Sequence, residues 1–253
     1  MISAVGGWFA LVLVLRGLQR RRPGFAVFTP VAVGYALRLL VIAFVPLTGV
    51  GATLRGGDET AFLAQAHGLA SVGWTSGQWL PINHASFLHV LVFAGQIKLL
   101  GSTAGALRIT QVVFSMAGAL LIAAAVYDLA GARAARLAAW LLSLQLSSLF
   151  FASSLHKEPL MELAGGLAVF GGTRVWLRRD LRGIPMMILA GLIALWTRQY
   201  VGWFLIAAAV MVAGHAGLRK LRLRTGALPL VYAALLAGLV ATPALLQATT
   251  PAR

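Results

Sequence analysis

Cysteine is absent from the 253 residues. Its absence excludes disulfides, thiolate nucleophiles and cysteine metal sites. Acids are scarce as well, with six Asp and Glu against 21 Lys and Arg, for a net charge of +15. Each carboxylate is therefore informative. Charged residues of both signs make up only 11% of the chain, and 60% of it is hydrophobic. A soluble domain averages about 25% charged and about 45–50% apolar residues. The shortage of charge and the excess of apolar residues exclude an ordinary soluble core. They predict an all-α, polytopic transmembrane helical bundle.

The positive charge would suggest nucleic acid in a soluble protein. Here it is grouped in short loops between apolar runs: Arg16, Arg20, Arg21 and Arg22; Arg133 and Arg136; Arg174, Arg178, Arg179 and Arg182; Arg219, Lys220, Arg222 and Arg224. That grouping fits the positive-inside rule, so these loops are expected in the cytoplasm and a nucleic-acid partner is not. The apolar runs predict about eight spans, near 2–15, 25–50, 104–129, 137–151, 160–176, 184–196, 201–218 and 228–246. The first has no basic segment before it and no cleavage site after it, and reads as a membrane helix rather than a signal peptide. Arg38 falls near the middle of the second span, where it is expected to face other helices or snorkel. The run 87–100 is short for a span and suits a re-entrant or interfacial helix. No internal repeat is visible, so residues 1–253 read as one membrane-embedded module.

Residues 51–86 form the first large extracytoplasmic loop in this topology. It contains Asp58-Glu59, the one place where two acids are adjacent. Apolar positions Phe62, Leu63, Ala66, Leu69 and Ala70 follow at helical spacing. They predict a helix over 58–70 lying on the membrane surface, with Trp74 and Trp79 at the interface. After two glycines, Asp58 suits a helix N-cap. It also suits a general base or a metal-binding acid. His84 follows Pro81 and Asn83, and reads as an interfacial residue or as a ligand for a phosphate or hydroxyl. Lys157 and Glu158 open a helix after a membrane exit: Lys157 could neutralise a phosphate, while Glu158 could cap the helix or pair with Lys157. Arg198 and Tyr200 sit at a tight connection on the same face, where Arg suits bidentate phosphate recognition and also an interfacial anchor.

The stretch Gly56-Gly57-Asp58-Glu59-Thr60-Ala61-Phe62-Leu63-Ala64-Gln65-Ala66, followed by Gly73-Trp74, comes directly after a membrane helix that contains an Arg. It resembles the first outer loop of the GT-C superfamily of membrane glycosyltransferases, in particular the protein O-mannosyltransferase and aminoarabinose-transferase-like group (glycosyltransferase family 39-like). The stretch from Gly101 to Leu142, with Arg108, Tyr127-Asp128-Leu129 and Gly131-Ala132-Arg133-Ala134-Ala135-Arg136, is similar to the family's next helix pair. The resemblance covers roughly residues 30–200. It implies transfer of a sugar from a polyprenyl-phosphate donor to an acceptor hydroxyl on the extracytoplasmic face of a bacterial inner or plasma membrane. Asp58 would be the catalytic base. Glu59 would assist it or help hold a divalent metal, Mg or Mn, with Asp58 as a possible ligand. Lys157, Glu158, Arg198, Tyr200 and His84 would form the donor-phosphate site. GT-C enzymes are usually longer, so the resemblance implies a fragment or a reduced relative. The alternatives are a transporter or flippase for a lipid-linked or anionic solute, which needs ionisable groups deep in several spans, and a non-catalytic membrane scaffold subunit.

Overall fold

The computed structural model describes residues 2–44, 50–79 and 87–220. Among these, no strand occurs. The helices, in chain order, are α1 (Ile2–Gln19), α2 (Phe28–Phe44), α3 (Val50–Ser71), α4 (Phe87–Leu100), α5 (Ala104–Leu144), α6 (Leu146–Ala152), α7 (Glu158–Arg178), α8 (Gly183–Leu195) and α9 (Gln199–Lys220). Among the described residues, three helices are long and apolar enough to cross a membrane: α1, α5 and the 199–217 part of α9. α2, most of α4, and α8 are apolar but shorter. α7 has the length, but Glu158, Glu162, Arg174 and Arg178 lower its hydropathy. Of the expected second span, 25–50, α2 covers Phe28–Phe44 and Val50 opens α3, while residues 45–49 lie outside the described residues. The expected span 228–246 lies outside the described residues.

α5 forms the centre of the bundle. In its most apolar window 61% of residues are buried, against 17% in each of α1 and α9, which therefore lie at the rim. Thr103 caps its start by accepting from the Ala106 N–H at 3.4 Å. Gly131, at φ 84, breaks its helical path after Ala130. That left-handed turn is easy for glycine, and it lets the chain fold back rather than continue as one 41-residue rod. α7 packs closely along α5. A Cβ at Gly118 would run into the Glu162 carbonyl, and one at Gly166 would sit 2.6 Å from the Gly118 carbonyl oxygen. Small residues that let backbones touch in this way are the usual device of helix packing in lipid.

One apolar cluster joins Leu11 and Leu15 of α1, Val31 and Tyr35 of α2, Met116 and Leu120 of α5 and Phe170 of α7. A second joins α3 and α4 to the start of α5 through Ala66, Leu69, Val90, Phe93 and Leu107, and reaches Leu155. α3 and α4 run side by side in the same direction. Phe62 meets His89, and further along both helices the Ala70 carbonyl accepts from Lys98 Nζ at 2.8 Å.

The expected helix over 58–70 is present, and its apolar stripe is the face it buries on α4. Its start differs from expectation. α3 begins at Val50 and runs through Gly56-Gly57. Asp58 is thus a helix-interior residue and not an N-cap. A glycine costs a helix about 1 kcal/mol relative to alanine, and tertiary burial of the Phe62–Ala70 face outweighs that local signal.

Candidate functional site

The bundle has two polar ends that differ in character. At the first, Glu59 faces inward from α3 and is buried, while its neighbour Asp58 is exposed. The difference follows from helical geometry: adjacent residues point about 100° apart, so Glu59 shares the inward face with Phe62 and Ala66. Arg108, one turn into α5, donates from both Nε and Nη2 to the single oxygen Oε1 of Glu59, with the Nε contact at 3.0 Å. This pair anchors α3 to the central helix. It is a position that the sequence reading gave to catalytic assistance or metal binding.

Phe62 then meets the His89 ring edge-on, with centroids 5.0 Å apart. The His89 ring lies 3.3 Å from the Leu155 carbonyl through Nε2 and 3.4 Å from Gln111 through Nδ1. Leu155 leads directly into Lys157 and Glu158 at the start of α7. Glu158 accepts from Arg198, and Arg198 also bonds the Tyr200 hydroxyl at 3.1 Å. Hydrogen bonding to Tyr200, then to Glu158, raises the Arg198 pKa above its ordinary value despite burial. The Leu88 N–H donates to the Trp196 carbonyl at 3.2 Å, which ties α4 to the same connection. Separate contacts (Glu59 with Arg108, Phe62 with His89, His89 with Leu155, and Arg198 with Glu158 and Tyr200) therefore pin α3, α4 and the starts of α5 and α7 near one another at this end. The observed partner of Glu158 is Arg198, in place of the Lys157 pairing or helix cap read from sequence. His84 lies outside the described residues.

Asp58 stands apart from this set. Of the six acids, Glu59 holds Arg108, Asp128 holds Arg22 and Arg178, Glu158 holds Arg198, Asp180 holds Arg174, and Glu162 accepts from Ser148. Asp58 alone is exposed with no hydrogen bond or ion pair among the described residues. The fit to a divalent metal is poor. No group of three or more His, Asp or Glu gathers among the described residues, and the neighbouring carboxylate is bound to a guanidinium. This end therefore carries one open carboxylate, Asp58, on the helix that Glu59 and Arg108 pin to α5.

The second end carries Asp128 on α5. Arg22 reaches both of its oxygens, at 3.0 and 2.6 Å, and Arg178 reaches Oδ1 at 2.7 Å. Tyr127 donates to the Pro23 carbonyl beside them. Arg174 holds the Asp180 carboxyl below its ordinary pKa by hydrogen bonding.

A polar chain that sequence reading missed lies between the two ends. Arg38 is fully buried, so it does not snorkel. It donates to the Gly34 and Ser143 carbonyls at 3.0 and 2.9 Å and to Ser148 Oγ at 2.7 Å. Ser148 in turn donates to Glu162 at 3.0 Å and lies 3.0 Å from Ser115 Oγ. Glu162 sits inside an apolar run, and an acid in such a run was the available signal.

No known protein family, curated protein or solved structure is matched by this chain, and the functional reading rests on its own residues.

Proposed function

We propose that this chain is a membrane glycosyltransferase that moves a sugar from a polyprenyl-phosphate donor to an acceptor hydroxyl, working at the Asp58 end of a multi-pass bundle of about eight spans. The observation that carries the reading is Asp58 itself, the one acid that is exposed and without a partner among the described residues, on the helix that Glu59 and Arg108 pin to α5. Asp58 accepts the proton of the acceptor hydroxyl as its oxygen attacks the anomeric carbon. The bond from that carbon to the donor phosphate breaks, and polyprenyl phosphate leaves with the electron pair. Lys157 and Arg198 offset the charge on the leaving phosphate. Glu158 and Tyr200 hold Arg198 in place, and Glu59 with Arg108 fixes the helix that carries Asp58. The excess of Lys and Arg at the other end supports an extracytoplasmic orientation for this face.

The test is release of polyprenyl phosphate from polyprenyl-phosphate mannose by the full chain in proteoliposomes, supplied with a panel of hydroxyl acceptors. Acceptor-dependent release that is lost in Asp58→Asn supports the reading. Equal release with and without protein, or equal release by Asp58→Asn, overturns it.

The Arg38–Ser148–Glu162 chain favours a second reading, a transporter or flippase for an anionic solute, because that function needs ionisable groups deep among the helices. Uptake of the solute into vesicles, abolished by Glu162→Gln and indifferent to Asp58→Asn, would select it over transfer.

A further inference from the structure

A second candidate site lies at the far end of α7. Between the α7–α8 turn and α9 there is a cavity of about 530 Å³. The residues that give it character are Trp176, Arg179, Leu181, Val212 and His215. His215 stacks on Trp176 with ring centroids 4.8 Å apart and planes inclined by 17°. Both His215 ring nitrogens are shut away from solvent, and neither has a hydrogen-bond partner among the described residues. They do not face the cavity, so the stacked Trp176 and His215 rings form an aromatic wall of the kind that borders a ligand site.

Arg179 supplies an independent sign. It caps α7 in the left-handed conformation, at φ 53 and ψ 25. Glycine is the usual residue there, because a side chain is strained. Among the described residues it is the one non-glycine with positive φ. An arginine held at such a position, on the wall of a cavity, indicates that its side chain is used. The neighbouring arginines are already occupied: Arg174 holds Asp180 and Arg178 holds Asp128. No ion pair to Arg179 forms among the described residues, and no carboxylate lines the cavity.

We propose that this cavity binds the headgroup phosphate of an anionic phospholipid. The Arg179 guanidinium donates to the phosphate oxygens. Leu181 and Val212 cover the glycerol and the first acyl carbons, and Trp176 occupies the interfacial position that its ring favours. A zwitterionic headgroup fits less well, since its ammonium would face Arg179 with no acid to receive it. The volume falls within the range of small-ligand sites, about 300–1,000 Å³. The inference does not depend on the transfer chemistry at Asp58. It requires only that the chain sits in a bilayer.

The experiment is native mass spectrometry of the full chain in detergent, titrated with dioctanoyl phosphatidylglycerol, with dioctanoyl phosphatidylcholine and inorganic phosphate as separate arms. The expected result is saturable binding of phosphatidylglycerol, weaker by about tenfold or more in Arg179→Gly. Arg179→Gly should melt no lower than the native chain, since glycine relieves the left-handed strain. His215→Phe keeps the stack on Trp176 and should bind phosphatidylglycerol like the native chain. Phosphatidylcholine should bind about tenfold more weakly, and inorganic phosphate at matched concentration should not compete. Unchanged phosphatidylglycerol affinity in Arg179→Gly would overturn the site. Equal affinity for phosphatidylcholine would overturn the anionic specificity, and competition by inorganic phosphate would overturn the lipid assignment.

Discussion

The two ends of the bundle use the same residue types to opposite effect. At the Asp128 end, arginines outnumber acids and each carboxylate is saturated: Asp128, with a side chain 1% exposed, takes both Arg22 and Arg178. A saturated, buried carboxylate joins α5, α7 and the α1–α2 turn, and has nothing left with which to react. At the Asp58 end, acids and cations are nearly matched, Glu59 to Arg108 and Glu158 to Arg198, and one further carboxylate stays exposed. Saturation leaves the Asp128 end a structural clamp, whereas the open Asp58 carboxylate is the group on which the proposed transfer rests.

That contrast can be broken most severely at the saturated end. Asp128→Ala leaves Arg22 buried without a counter-charge, and removing one partner of a buried pair costs about 3–5 kcal/mol. Thermal unfolding in detergent should show a large fall in the melting temperature. A variant that melts with the native protein would mean that Asp128 does not clamp the helices. Gly118→Ala addresses the α5–α7 contact that connects the two ends. The added methyl meets the Glu162 carbonyl, and overpacking of that kind costs about 1–3 kcal/mol. Bulk tolerated there without loss of stability would contradict the backbone-to-backbone approach.

Arg108→Gln gives a smaller stability change, roughly 1–2 kcal/mol, because the pair is only partly enclosed, at 16% and 6% exposure. Its second consequence separates the ends: transfer activity should fall as α3 loses its anchor, whereas no change at Asp128 should act on activity except through unfolding. The smallest effect belongs to Arg178→Ala. Its side chain is 43% exposed, and pairs of that kind contribute about 0–1 kcal/mol. Chemical denaturation should barely distinguish it from the native chain.

Legibility in the sequence followed the range of the signal. α4, α8 and α9 were readable because each apolar run is bounded by charge or glycine within a few residues. The Phe62–Ala70 stripe was readable because its period is local. The start of α3 was not, since Gly56-Gly57 is a local stop signal that burial on α4 overrides. Glu59 with Arg108, and Arg38 with Glu162 through Ser148, join residues far apart in the chain. Periodicity carries no information about such partners. The sequence therefore marked Asp58 and Glu59 as unusual, and the resemblance gave them the roles of base and of assistant or metal holder; the pairing of Glu59 with Arg108 depends on the face of α3 that turns toward α5 and was not legible.

The central claim is that the exposed Asp58 carboxylate performs chemistry while its buried neighbour performs anchoring. The direct measurement compares Asp58→Asn with Glu59→Gln in the proteoliposome transfer assay, alongside their melting temperatures. The account predicts that Asp58→Asn abolishes acceptor-dependent release of polyprenyl phosphate and leaves stability within about 0.5 kcal/mol of native. It predicts that Glu59→Gln lowers the melting temperature and retains measurable transfer. Native-level transfer by Asp58→Asn in a folded protein would contradict it.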